Sequence, residues 1–133
     1  MRRWLLRILA VAAWRRWRSR KVARARDSEV FDLAALAAQR AAGGGLYEEF
    51  LRVPSLRCGL YVLAAGREDP QRPHDEDEIY YVERGRGKVR LDGRDREVKS
   101  GSVVFVPAGM DHRFHSIAED LRLLVFFSAA RPR

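Results

Sequence analysis

Two histidines and one glutamate in this 133-residue chain are spaced so that they could share a metal ion. His74 stands four residues before Glu78, and His112 follows the run Gly101-Ser102-Val103-Val104-Phe105-Val106-Pro107-Ala108-Gly109-Met110-Asp111. Two imidazoles and one carboxylate meeting at a point form a facial set that binds a divalent transition metal and leaves coordination positions open. Fe, Mn, Ni and Zn are all compatible with such donors, so the type of site is legible and the identity of the ion is not. Successive side chains of a strand point to opposite faces. Glu78, Tyr80 and Val82 therefore share one face, as do His112 and Phe114. His74 joins Glu78 if Asp75-Glu76-Asp77 stays extended, although a short acidic run reads equally well as a solvated loop at the rim. His115, the third histidine, points away from His112 and is a poor ligand.

The elements that must position these groups are nearly all β. Tyr47–Val53, Cys58–Ala64, Glu78–Val82, Lys88–Leu91, Arg94–Val98, Val103–Val106, Arg113–Ile117 and Leu121–Phe127 read as strands. Gly66, Pro70, Gly85, Asp92-Gly93, Gly101 and Pro107-Ala108-Gly109 separate them. Asp92-Gly93 between alternating segments signals a tight hairpin. Pro107-Ala108-Gly109 turns the chain so that His112 begins the next strand. Many short strands divided by turn residues indicate a sandwich or barrel, and closure removes edges that promote aggregation. Leu121, Leu123, Val125 and Phe127 alternate toward the interior. Leu124 and Phe126 make the other face apolar too, which predicts a helix or a second subunit against it. The alanine- and leucine-rich Phe31–Arg40 predicts a short helix with Asp32 able to cap it and Gly43-Gly44-Gly45 ending it.

Glu78 with Gly85, and Gly101, Pro107, Gly109 and His112, resemble the paired motifs of the cupin superfamily over roughly residues 46–128. The resemblance implies a small jelly-roll β-barrel holding a metal or small ligand in its mouth. In the first motif Gly66 fits the opening glycine, His74 the second histidine, and Arg72 stands where the first histidine is expected. Ser116 replaces the asparagine that closes the second. The resemblance thus implies His74, Glu78 and His112 as metal ligands. Arg72 would either weaken the metal by repulsion, swing outward, or clamp a substrate carboxylate. Gln71 could lend a carbonyl oxygen, but alternation puts it on the wrong face unless Pro73 distorts the strand. Tyr80 and Phe114 would wall a substrate pocket or serve as core.

Charge separates the chain into parts. Residues 1–26 carry ten Lys/Arg and no acid, leaving 16 basic residues against all 18 acidic ones in the remainder. The basic excess is therefore not a property of the folded body, and nucleic acid is not an expected partner. The expected organisation is a basic extension over 1–26, a short helix with a glycine linker over 27–45, and a barrel over 46–130. In the extension the charge-free run Ile8–Trp14 is far shorter than the ~20 apolar residues that cross a bilayer. Leu5, Ile8, Leu9 and Ala12 share a helical face that could lie on a membrane surface. A disordered or loosely helical appendage is the preferred reading. Cys58 is alone and allows no internal disulfide, which suits a reducing, cytoplasmic setting, and its apolar strand marks it as a buried, inert thiol. The expectation is a homodimeric small-molecule protein, either a metal-dependent enzyme of dioxygenase or isomerase type or a non-catalytic binding module. No catalytic residue beyond the ligands is assignable.

Overall fold

The computed structural model describes residues 28–129. The expectations for the basic extension fall outside them. One helix, α1 (Leu33–Gly43), precedes six strands: β1 (Tyr47–Val53), β2 (Leu56–Leu63), β3 (Glu78–Leu91), β4 (Arg94–Lys99), β5 (Val103–Val106) and β6 (His112–Ser128). Asp32 caps α1 by accepting from the Ala35 N–H at 2.7 Å, as its position suggested. Gly44, left-handed at φ 72°, ends it and returns its N–H to the Ala41 and Arg40 carbonyls. No helix among the described residues is long and apolar enough to cross a membrane.

All pairings are antiparallel, in the order β1-β2-β6-β3-β4, with β5 also bonded to β3. The hydrogen-bonded path has ends at β1 and β4 instead of closing into a ring, so the bending of two long strands wraps the sheet round its core. β3 has 14 residues and β6 has 17, each merging two segments that the sequence presents as separate strands. Their shared ladder shifts register between Val82 and Lys88. Along β3 the buried set moves from Glu78, Tyr80 and Val82 to Gly85, Gly87 and Val89. Along β6 it moves from His112 and Phe114 to Ile117, Leu121, Leu123, Val125 and Phe127. Bulges of this kind add twist and bend, and they let one strand supply the interior on both sides of the bend. Ser116, with φ 48°, stands in the β6 irregularity.

The main core joins Leu63, Tyr80, Val82, Val89, Phe114, Leu121 and Leu123 inside the roll. A second cluster lies outside, where Leu36 of α1 packs with Phe50, Cys58 and Leu60 and is joined by Leu124 and Phe126. The helix packs over β1 and β2, and Leu124 and Phe126 of β6 join the margin of this outer cluster. Burial raises the Cys58 thiol pKa, with the nearby Glu49 adding to it, so this cysteine is held in its unreactive form.

Candidate metal centre

Glu78 opens β3 between Val106 of β5 and Phe127 of β6, and only 1% of it is exposed. The preceding loop is stitched to the turn that delivers His112. The Gly109 N–H donates to the His74 carbonyl at 2.7 Å, and the Ala108 N–H donates to Asp77 Oδ1 at 2.8 Å. Gly109 adopts φ 77° to make that turn, a conformation natural to glycine. The two motifs are therefore one structural unit, clamped backbone to backbone.

Within it, His74 Nε2 lies 3.2 Å from Glu78 Oε1, and His112 Nε2 lies 3.2 Å from Glu78 Oε2. Ligand atoms of all three side chains fall within 4.8 Å of one another. Neither close approach has hydrogen-bond geometry, so His74 Nε2 and both Glu78 oxygens are buried polar atoms without a hydrogen-bond partner. Such orphans are costly in a folded protein, and three converging on one point fit a cation as their common partner. Nitrogen and oxygen donors in this ratio suit a divalent transition metal, and three protein ligands leave positions free.

The surroundings orient the donors. His112 Nδ1 is 2.9 Å from the Met110 carbonyl, which can only accept, so the proton sits on Nδ1 and the Nε2 lone pair faces Glu78. Burial of His112 favours the neutral ring, but the Glu78 carboxylate and the Met110 carbonyl together outweigh it and raise its pKa above the usual value. Tyr80 Oη donates to Gln71 Oε1 at 2.6 Å and stands 3.1 Å from His112 Nε2. Burial first, and the Glu78 charge second, keep that phenol protonated. Gln71 is held in turn by Asp69, which is 2% exposed and accepts four hydrogen bonds. These come from Tyr61 Oη at 2.7 Å, Gln71 Nε2 at 2.8 Å, Gln71 N at 3.1 Å and Phe114 N at 2.9 Å. One buried carboxylate thereby fixes the loop, the tyrosine and, through the tyrosine, the environment of the His112 imidazole.

The residues singled out from sequence divide clearly. His74, Glu78 and His112 come together, with Tyr80 beside them. Phe114 lies beneath, fully buried and edge-on to Tyr80 at 5.1 Å, as core and not as a pocket wall. Arg72 is exposed and does not line the cavity next to His74, while Gln71 does. The inversion has a simple cause: residues 64–77 form a loop, so strand alternation does not apply there. His115 points outward, its Nε2 2.9 Å from Asp95 Oδ1. Asp69, Tyr47 and Arg57 carried no sequence signal that distinguished them. Arg57 bridges Glu76 at 2.6 Å and Glu49 at 3.5 Å, which ties the acidic loop to β2.

A family described as a cupin domain matches residues 59–127. A protein of uncharacterized function from Streptomyces coelicolor is 49% identical over 100 residues, covering 75% of this chain and 95% of that protein. Among solved structures, KdgF from a Halomonas species superposes with a TM-score of 0.58 at 23% identity, over 64% of this chain and 78% of that one. The DMSP lyase DddQ of Ruegeria pomeroyi gives a TM-score of 0.57 at 23% identity, over 62% of this chain but only 46% of its own. At that identity the structural likeness speaks for the fold alone.

Proposed function

Because this chain belongs to the cupin-domain family, we propose that it binds one divalent transition metal through His74, Glu78 and His112 and presents it to a small molecule. The observation that carries this reading is that ligand atoms of His74, Glu78 and His112 lie within 4.8 Å of one another, with His74 Nε2 and both Glu78 oxygens buried and without a hydrogen-bond partner. When bound, such an ion acts as a Lewis acid toward an oxygen-bearing ligand or toward water. The chain itself supplies orientation. Met110 selects the His112 tautomer, Asp69 and Gln71 lock Tyr80, and Leu63, Val82 and Phe114 exclude water from behind.

A metal-dependent enzyme acting on a small molecule is the first form of this proposal. A binding module without catalysis is the second, and one observation favours it: Asp69, Tyr80 and Arg57 are already committed to hydrogen bonds or ion pairs. Glu78→Gln tests the shared premise. It should abolish stoichiometric metal in freshly purified protein, measured by elemental analysis. Unchanged metal content would end the proposal.

A second copy of the chain belongs to the same reading. Ile79, Tyr81, Val103 and Phe105 form an exposed apolar stripe where β3 pairs with β5. Sedimentation equilibrium should return a dimer, and Phe105→Glu should return a monomer.

A further inference from the structure

We infer that Asp69, which is no ligand itself, is the second negative charge of the metal centre and raises its affinity for a divalent cation through space. The inference deepens the metal proposal and rests on it, but the two can fail separately.

Asp69 lies on the 64–77 loop and is 2% exposed, against 1% for Glu78. A short path leads from it to a donor atom. Gln71 Nε2 donates to Asp69 at 2.8 Å, Tyr80 Oη donates to Gln71 Oε1 at 2.6 Å, and Tyr80 Oη stands 3.1 Å from His112 Nε2. Charges so buried act on one another several times more strongly than in water, and salt screens them little.

No basic side chain offsets the two carboxylates. Among the described residues neither Asp69 nor Glu78 forms an ion pair with a lysine or an arginine. Arg57 lines the neighbouring cavity with Gln71 and His74, but Glu76 and Glu49 already engage it. Arg72 is exposed. Buried anions without a counter-ion are costly, and buried charges are ordinarily paired or bound to a metal. A divalent cation held by His74, Glu78 and His112 would balance both charges, Glu78 by contact and Asp69 at a distance.

The charge of Asp69 and its hydrogen bonds are separable by substitution. Asp69→Asn removes the charge at nearly constant size. Tyr61→Phe and Gln71→Met each keep the charge and delete one donor to it. The full chain and its variants are loaded with Zn(II), and affinity is read by chelator competition with circular dichroism and thermal midpoint alongside. Asp69→Asn should bind about 10–100-fold more weakly, the usual worth of a group just outside the ligands. Tyr61→Phe and Gln71→Met should lose far less. If asparagine disrupts the fold, Asp69→Ser takes its place, being uncharged and still offering an oxygen to the backbone donors.

Iron-loaded protein supplies a readout whose sign a misplaced ligand would not dictate. A nearby anion favours the trivalent ion over the divalent one, so removing it should raise the Fe(III)/Fe(II) midpoint potential. Unchanged affinity in the uncharged variant, an unchanged or lowered midpoint, or losses in Tyr61→Phe or Gln71→Met that equal its own would each overturn the inference. Those outcomes leave the metal proposal intact, whereas wild-type protein that binds no metal would end both.

Discussion

His112→Ala should strip the protein of its metal, lowering affinity by more than about 100-fold, since even residues that merely support a ligand are worth 10–100-fold. The imidazole presents its Nε2 lone pair 3.2 Å from Glu78 because the Met110 carbonyl occupies the proton on Nδ1. Alanine removes a donor that no neighbour can replace: Tyr80 is committed to Gln71, and Arg72 is exposed. His115→Ala is the matched control. It removes an imidazole three positions away that faces Asp95 on the surface, and metal content should not change. Competition with a chromogenic chelator gives the affinities. Parallel losses in both variants would show that the effect lies in folding and not in coordination.

Gly85→Ala should be the most damaging one-carbon change in the described chain. Gly85 sits at φ 100°, and an added β-carbon would fall 2.1 Å from the Asp120 carbonyl oxygen. The obstacle is backbone, so β6 must separate from β3 in the middle of their shared ladder. A loss of about 4 kcal/mol or more is expected, a large share of the ~5–15 kcal/mol that holds a typical domain folded. Gly93→Ala isolates the conformational part of that cost. Gly93 has φ 77° but nothing within 4 Å of the added carbon, so it should lose only about 1 kcal/mol. Urea unfolding of the two variants separates clash from backbone preference, and similar midpoints would refute the close approach described at Gly85.

These two positions show how far local pattern carries. β1 and β5 begin and end at the residues that alternation and turn chemistry indicated, and Asp92-Gly93 makes the tight turn, with φ 48° and 77°. Gly85 falls where pattern alone expects a strand to end, because glycine usually punctuates strands. Here it serves a close crossing, and the strand continues through it. Glu119 and Asp120 likewise looked like a loop between two strands, yet they lie within β6 where the ladder slips. Asp69 had nothing to set it apart from Glu68 or Asp75, because its value comes from a loop that folds Gln71 back on it and from donors on two strands, Tyr61 and Phe114. Arg72 and Gln71 exchanged expected roles because the loop carrying them has no strand periodicity.

By itself the sequence determined which side chains are metal donors by type, which of them share a strand face, and that glycine and proline turns hold them at strand ends. Those are local properties, set by period-two alternation and turn stereochemistry. Only the tertiary structure decided that the donors meet. His112 pairs across the ladder with Leu91, at the far end of a 14-residue strand from Glu78, and a straight strand of that length spans roughly 45 Å. The imidazole nevertheless lies 3.2 Å from the carboxylate. The register slip bends both strands, and the roll returns one end of the ladder to the other through β5. No short-range signal encodes that return, because it depends on apolar faces from the whole sheet closing on a common core.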